Sequence, residues 1–167
     1  MCFLWYIVNF NFQSNDSTTY EDFLNNDCKN ESAYAFTENM IEIDAMVDWK
    51  VIHNVENYLE LMFMAVLIPE YSNRGIGTKL FEGSLKLARG FMNGEYLDLV
   101  PEELHSKIPT VATAICSSKY SLRIVLKHGG QTHLTVSNDD YFFHGKSYGE
   151  RNNDPTNNSQ TIVSIVL

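Results

Sequence analysis

Cysteine is scarce in this chain: Cys2, Cys28 and Cys116 are its whole complement, an odd number without metal-ligand spacing. A disulfide framework is thereby disfavoured, and a reducing, cytoplasmic compartment is expected. Basic residues are also few, with 12 Lys and Arg against 21 Asp and Glu and a formal net charge of -9. Such a surface repels phosphate backbones, so nucleic acid is not an expected partner. No apolar run is long enough to span a bilayer, and no membrane partner is expected. The apolar residues 1–8 have no basic segment before them and no small-residue cleavage site after them, so they read as a strand. Internal repeats are absent. The N-x-S sequons at Asn15, Asn30 and Asn157 read as chance matches in an Asn-rich chain.

What is present fits one globular domain over residues 1–167. Apolar residues make up 44% and aromatics 13%, enough to build a core. Residues 1–12 read as a strand, and the polar residues 13–37 mostly as loop. Met40, Ile41, Ala45, Met46, Trp49 and Ile52 predict an amphipathic helix over 38–53, read as core helix that could also border an aromatic-lined pocket. Residues 59–68 form an apolar run broken only by Glu60, which predicts a central strand stopped by Pro69. A helical pattern runs from Gly75 to about Met92 and ends at Asn93-Gly94. Residues 110–116 predict a second buried strand. A helix follows, capped by Ser117 or Ser118 and ending near Lys127-His128. Strands over 131–136 and 161–167 close the chain, joined by the polar stretch 145–158. The order is that of an α/β or α+β fold, with the strand-Gly-helix and strand-Ser-helix units placing two parallel strands side by side.

Gly75 and Gly77 sit at a strand-to-helix turn, where a missing Cβ lets an anion approach the backbone. The first turn of a helix has free N–H groups and a partial positive charge, which suits a pyrophosphate. Arg74 and Lys79 add charge. A tight turn with no ligand is the competing reading. The spacing fits neither a nucleotide-triphosphate loop nor, with Leu80 in place of a third glycine, a dinucleotide-binding turn.

The segment Pro69-Glu-Tyr-Ser-Asn-Arg-Gly-Ile-Gly-Thr-Lys-Leu80 resembles motif A of the GNAT acetyltransferases, [RQ]-x-x-G-x-[GA]. A second block, Ile115-Cys-Ser-Ser-Lys-Tyr-Ser121, then Lys127-His-Gly129 and Asp140-Tyr141, is similar to the C-terminal half of insect arylalkylamine N-acetyltransferases. The resemblance covers residues 58–145 in register. It implies a GNAT-like mixed sheet with a splayed central parallel strand pair flanked by helices. It also implies acetyl-CoA as cosubstrate, with no metal, held by the backbone at Val66 and Leu67. Ser72, Arg74, Gly75, Ile76, Gly77 and Thr78 would surround the pyrophosphate. Ser117 and Ser121 match the serines with catalytic or proton-relay roles. The partner implied is a small-molecule amine of the dopamine, serotonin, tryptamine and octopamine class, acetylated by direct transfer, and a monomer is expected.

Three departures stand against that pattern. Motif A opens on Ser72 in place of Arg or Gln. The family's early strand and helix, which carry its catalytic glutamate, find no match, and Glu21, Glu31 and Glu38 lie after the first strand. Relative to the family the chain reads as N-terminally incomplete. Gly130 replaces a usual Phe, which predicts lost core packing. A non-catalytic acyl-CoA-binding protein or a fragment lacking the base is therefore the alternative to an enzyme, and an acetyltransferase for a polyamine is a third reading.

The candidates also have structural readings. Ser117 could be an N-cap and Ser121 a small residue at a helix–sheet contact. A serine hydroxyl is a poor base, so a water relay is more credible than direct abstraction. Tyr120 and Tyr141 read as packed residues. His53, His105, His128, His133 and His144 read as surface or hydrogen-bonded histidines, and Cys116 as a small hydrophobe. One prediction follows from Ser72. Ser72→Arg supplies a charge-assisted phosphate partner, so coenzyme A affinity should rise and the gain should shrink in high salt. Titration calorimetry at two salt concentrations measures it, and a flat affinity would count against the assigned turn.

Overall fold

Asn30 sets the start of helix α1 (Glu31–Asp44): its side chain accepts from the Ala33 backbone N–H, and Glu31 lies in the first turn. The helix therefore begins well before the expected boundary at 38, and the loop reading of 31–37 is corrected. Asn-rich composition had masked a cap followed by Ala33 and Ala35, which favour helix. The expected single helix over 38–53 is also divided. Asp48 caps a second helix, α2 (Trp49–His53), by accepting from Val51 N at 3.0 Å.

The computed structural model describes residues 7–12 (backbone only), 24–62, 64, 73–102, 105–154 and 157–167. The strands are β1 (Ile7–Phe12), β2 (Asn57–Met62), β3 (Val111–Cys116), β4 (Gln131–Ser137), the short β5 (Phe142–Phe143) and β6 (Lys146–Ser147), and β7 (Ser159–Val166). Between them run α3 (Ile76–Met92), α4 (Lys119–Lys127) and the short α5 (Tyr148–Arg151). Among the described residues the main sheet has the order β1-β2-β3-β7-β4. β2 and β3 are parallel neighbours and the other pairs are antiparallel, so the sheet is mixed as expected.

Alternation along the strands sends residues to two helical layers. Leu59, Ala112, Cys116, Val163 and Ile165 face α3 and α4, where Phe81, Leu85, Ala88 and Val125 cover them. Tyr58, Val111 and Ile162 face α1 and α2, under Ile43, Val47 and Trp49. Gly129, at φ +88°, turns the chain out of α4. A Cβ on Gly130 would stand 2.3 Å from Val125 Cγ1 and 3.0 Å from Val125 O. The expected loss of packing at Gly130 is thus corrected: the chain returns against α4 too closely for any side chain.

A polar row crosses the α1/α2 face. Glu60 stands opposite Thr113, and Thr113 opposite Ser164, all at most 2% exposed. The Ser164 hydroxyl meets a His53 ring nitrogen at 2.8 Å and His133 Nε2 at 2.7 Å. A register shift between Thr132 and Leu134 sets His133 off the regular alternation of β4. The rings of His53 and His133 lie 5.6 Å apart, with Trp49 stacked on His53. Together they fasten α2 to the β4–β7 edge. Burial, and secondly the neighbouring His53, lower the pKa of His133 from its ordinary value. The folded state then resists a proton that the unfolded chain accepts, so stability is present above about pH 6.5 and is lost as pH falls below it. The unfolding temperature should drop between pH 7.5 and 5.5, and His133→Gln should flatten that slope. An unchanged slope in the variant would remove His133 from the account.

Candidate active site

Among the described residues, β2 and β3 pair only at Leu59–Ala112 and Glu60–Thr113. Beyond that register both strands continue, β2 to Met62 and β3 to Cys116, without pairing to each other. The gap holds a cavity of about 150 Å³ between Leu61, Met62 and Met64 on one side and Ala114, Ile115 and Cys116 on the other. α3 and α4 close it with Phe81, Ser84 and Val125, and α1 contributes Phe36 and Met40, four apart on one helical stripe. Its lining includes Ser117 and Ser118, just past the carboxyl end of β3, the end of parallel strands where open α/β sheets bind ligands.

Ser117, Ser118 and Ser121 all line this cavity. Ser118, in extended conformation at φ −148°, is the N-cap of α4 and accepts from Ser121 N at 3.1 Å. Of the two caps expected, it is therefore Ser118 that serves. Ser117 precedes the helix, is exposed, and does not share a helix face with Ser121. Ser121 Oγ donates to Ser118 O at 2.8 Å and lies 3.0 Å from Ser118 Oγ. Burial pushes the Cys116 thiol up to about 11, against a lowering hydrogen bond with Ser121, so it stays protonated and packs as a hydrophobe. Tyr120 is corrected: at 61% exposed it is a surface residue, under Lys119 at 5.2 Å from the ring. Tyr141 is half-buried on the α1/α2 core, next to β5 and not within a strand.

Gly75 precedes α3 with φ +73° and offers no side-chain cap. The first intrahelical bond runs from Lys79 N to Gly75 O. Helix geometry therefore leaves the N–H groups of Ile76, Gly77 and Thr78 without intrahelical acceptors. Arg74 and Lys79 are exposed beside them. A Cβ on Gly77 would touch Ile124 Cδ1 at 3.4 Å, so this glycine also sets the approach of α3 to α4. Val66, Leu67 and Ser72 lie outside the described residues. The structure thus brings Ser117 and Ser121 to one cavity, and sets Gly75 at the start of α3.

Each described histidine has a partner. His128 meets Ile124 O at 2.8 Å and Glu82 at 3.2 Å, His105 meets Val100 O, and His144 meets Glu31. Among the described residues no His, Cys, Asp or Glu group has metal-binding geometry, and no helix is long and apolar enough to cross a membrane. Sequence reasoning missed Phe36, which fell in the presumed loop one turn before Met40 of the stripe expected to border a pocket. Their i, i+4 spacing was the available signal.

A mixed sheet whose central parallel pair parts around a cavity, with a glycine-led helix at one side, is the fold of the GNAT acetyltransferases. Solved structures agree. The structure is similar to arylalkylamine N-acetyltransferase 2 from Aedes aegypti (19% identity, TM-score 0.68), covering 96% of this chain and 66% of that one. It is similar to the mosquito arylalkylamine N-acetyltransferase like 5b (12% identity, TM-score 0.70), covering 97% and 67%. It also resembles Drosophila melanogaster polyamine N-acetyltransferase, described as catalysing formation of N-acetylagmatine (18% identity, TM-score 0.58), covering 83% and 58%. The chain thus spans about two thirds or less of these proteins. No family sequence model matches the chain, and no curated protein matches its sequence.

The turn at α3 generates a prediction. Gly77→Val should push the first turn of α3 away from α4 and obstruct the backbone amides. Affinity for acetyl-CoA should fall at least tenfold, about 1.4 kcal/mol. Calorimetry on a variant with unaltered circular dichroism tests this, and equal affinity would rule the turn out as the binding site.

Proposed function

We propose that this protein is an acetyl-CoA-dependent N-acetyltransferase of arylalkylamines, the dopamine, serotonin, tryptamine and octopamine class. The observations that carry this reading are the cavity between β2 and β3, lined in part by Ser117 and Ser121, and the helix α3 that starts on Gly75 with no side-chain cap. The N–H groups of Ile76, Gly77 and Thr78 suit the pyrophosphate, with Arg74 adding charge. By resemblance, Ser72 and the backbone of Val66 and Leu67 belong to the same site. Acetyl-CoA supplies the activated acetyl group. The neutral amine nitrogen attacks its carbonyl, a C–N bond forms, and the C–S bond breaks with the electron pair leaving on sulfur. The proton lost by nitrogen leaves through water held by Ser117 or Ser121, and the thiolate takes one up. A monomeric cytoplasmic protein is part of this reading.

The described lining is apolar apart from serines and one neutral thiol. Phe36, Met40 and Met62 suit an aromatic group, whereas a polyamine or agmatine carries a second cation that wants a carboxylate. The same lining favours a second reading, a non-catalytic acyl-CoA-binding protein, because it holds neither carboxylate nor imidazole to act as base. Arylalkylamines are mostly protonated at neutral pH, with pKa values near that of Lys, about 10. General-base help is worth about a hundredfold to ten-thousandfold, so slow turnover is expected.

Coenzyme A release by residues 1–167 separates these readings. With dopamine and tryptamine it should be measurable but below about 1 per second, under the ordinary enzyme range. With agmatine, kcat/KM should be at least tenfold lower. A preference for agmatine would overturn the substrate class. Acetyl-CoA binding with no turnover on any amine would establish the second reading.

A further inference from the structure

Charge is divided between the two helical layers of the sheet. Arg74, Lys79, Lys86 and Arg89 lie on α3 and the turn before it, and all four are exposed. Lys119, Arg123 and Lys127 are exposed on α4. These two helices thus hold seven of the twelve Lys and Arg in the chain. Glu82 is their one acidic residue, and His128 meets it at 3.2 Å. The opposite layer reverses the balance. From α1 to the end of α2 stand Glu31, Glu38, Glu42, Asp44 and Asp48, against Lys50 alone. Glu38 and Glu42 are exposed and four apart, on the side of α1 away from Phe36 and Met40. The negative field is felt at Tyr141, which packs against this layer: burial, then Glu42 and Asp140, raise its pKa.

The basic stripe works against local stability. Lys119, Arg123 and Lys127 repeat every four residues, a spacing at which like charges weaken a helix, and α4 contains no Asp or Glu to offset them. Both charged layers adjoin the cavity. α1 lines it with Phe36, itself 39% exposed, and Met40, and α3 and α4 line it with Phe81, Ser84 and Val125. A helix with its side chains is about 10 Å across. Screening at physiological salt acts over about 8 Å. With the sheet between them, each face is therefore felt separately, and a ligand near one face does not respond to the net charge of -9.

We propose that this division guides the two ligands of the reaction to opposite faces: the anionic acyl-coenzyme A to the basic stripes of α3 and α4, and the cationic amine to the carboxylates of α1. The inference rests on the acetyltransferase reading, which supplies two ligands of opposite charge. Lys86, Arg123 and Lys127 then act at long range, by raising the local concentration of the anion. Glu38 and Glu42 do the same for the amine. Salt gives the idea a sign. A net negative protein repels coenzyme A, and screening that repulsion makes association faster. A basic face attracts it, and screening makes association slower.

The test is stopped-flow binding of a fluorescently labelled coenzyme A to the full chain. From about 0.05 to about 0.5 M salt, the wild-type association rate should fall at least about threefold. The triple variant K86Q/R123Q/K127Q should associate at least about fivefold more slowly at low salt, with its dissociation rate changed less than about twofold. Tryptamine affinity, by calorimetry with coenzyme A saturating, should be unchanged in that variant. In E38Q/E42Q it should fall at least about threefold, while coenzyme A association does not slow. The salt trend needs no variant, so a misfolded one leaves the proposal testable. Wild-type association that quickens with salt, a triple variant altered in dissociation instead of association, or an acidic pair whose loss leaves the amine unaffected overturns the proposal and leaves the acetyltransferase reading in place. Failure of the wild type to bind coenzyme A overturns both.

Discussion

A parallel strand pair that stops pairing partway along its length creates a problem of backbone chemistry. Past Glu60 and Thr113 the inner edges of β2 and β3 no longer serve each other, although both strands keep their outer partners β1 and β7. The outer ladders hold each strand straight, so the gap between them cannot collapse. Apolar side chains from both helical layers reach it, and serines collect where β3 gives way to α4. Between the two strands the inner-edge N–H and C=O groups past Glu60 and Thr113 have no partner strand. The placement of α3 and α4 over one face and α1 over the other follows from where the gap runs.

The two sides of the sheet contribute different chemistry. On the α3/α4 side the packing is dry, with Phe81, Leu85, Ala88 and Val125 on small strand residues such as Ala112 and Cys116. Small residues there let α3 come close to the sheet, and Gly77 lets its first turn come close to α4. On the α1/α2 side the face is mixed. Apolar Tyr58, Val111 and Ile162 alternate along their strands with Glu60, Thr113, Ser164 and Gln160. Those polar residues find partners mostly across long sequence separations: His53 and His133 on Ser164, and Asn39 on Gln160. A dry face suits rigid support, and a hydrogen-bonded one specifies which residues meet across the layers.

Much of this was legible in the residues. The helix after Gly75, its end at Asn93-Gly94, the strand before Ser117 and the helix to Lys127 all follow from periodicity and capping chemistry, and lie within a residue or two of expectation. Adjacency of the two parallel strands also followed from the strand-helix units. The misreadings had local causes. Asn and Ser between residues 13 and 37 signal loop, yet one of those asparagines, Asn30, was a cap, and caps and loops draw on the same residues. Trp49 and Ile52 continued a helical stripe through Asp48, whose side chain preferred to start a new helix. Gly130 looked like a deletion of packing because the return of the chain onto Val125 is a tertiary contact.

By itself the sequence determined local events: which segments are helix or strand, where Gly75 turns the chain, and that serines follow Cys116. These depend on φ/ψ preference, capping and apolar period, all of which act over a few residues. Only the tertiary structure decided that β2 and β3 part after two registered pairs, that Phe36 reaches the gap those strands leave, and that Asn39 meets Gln160 across 121 residues of chain. No local preference encodes those meetings. They are set by how two helical layers of given volume pack on one twisted sheet, where the position of each side chain depends on all the others at once.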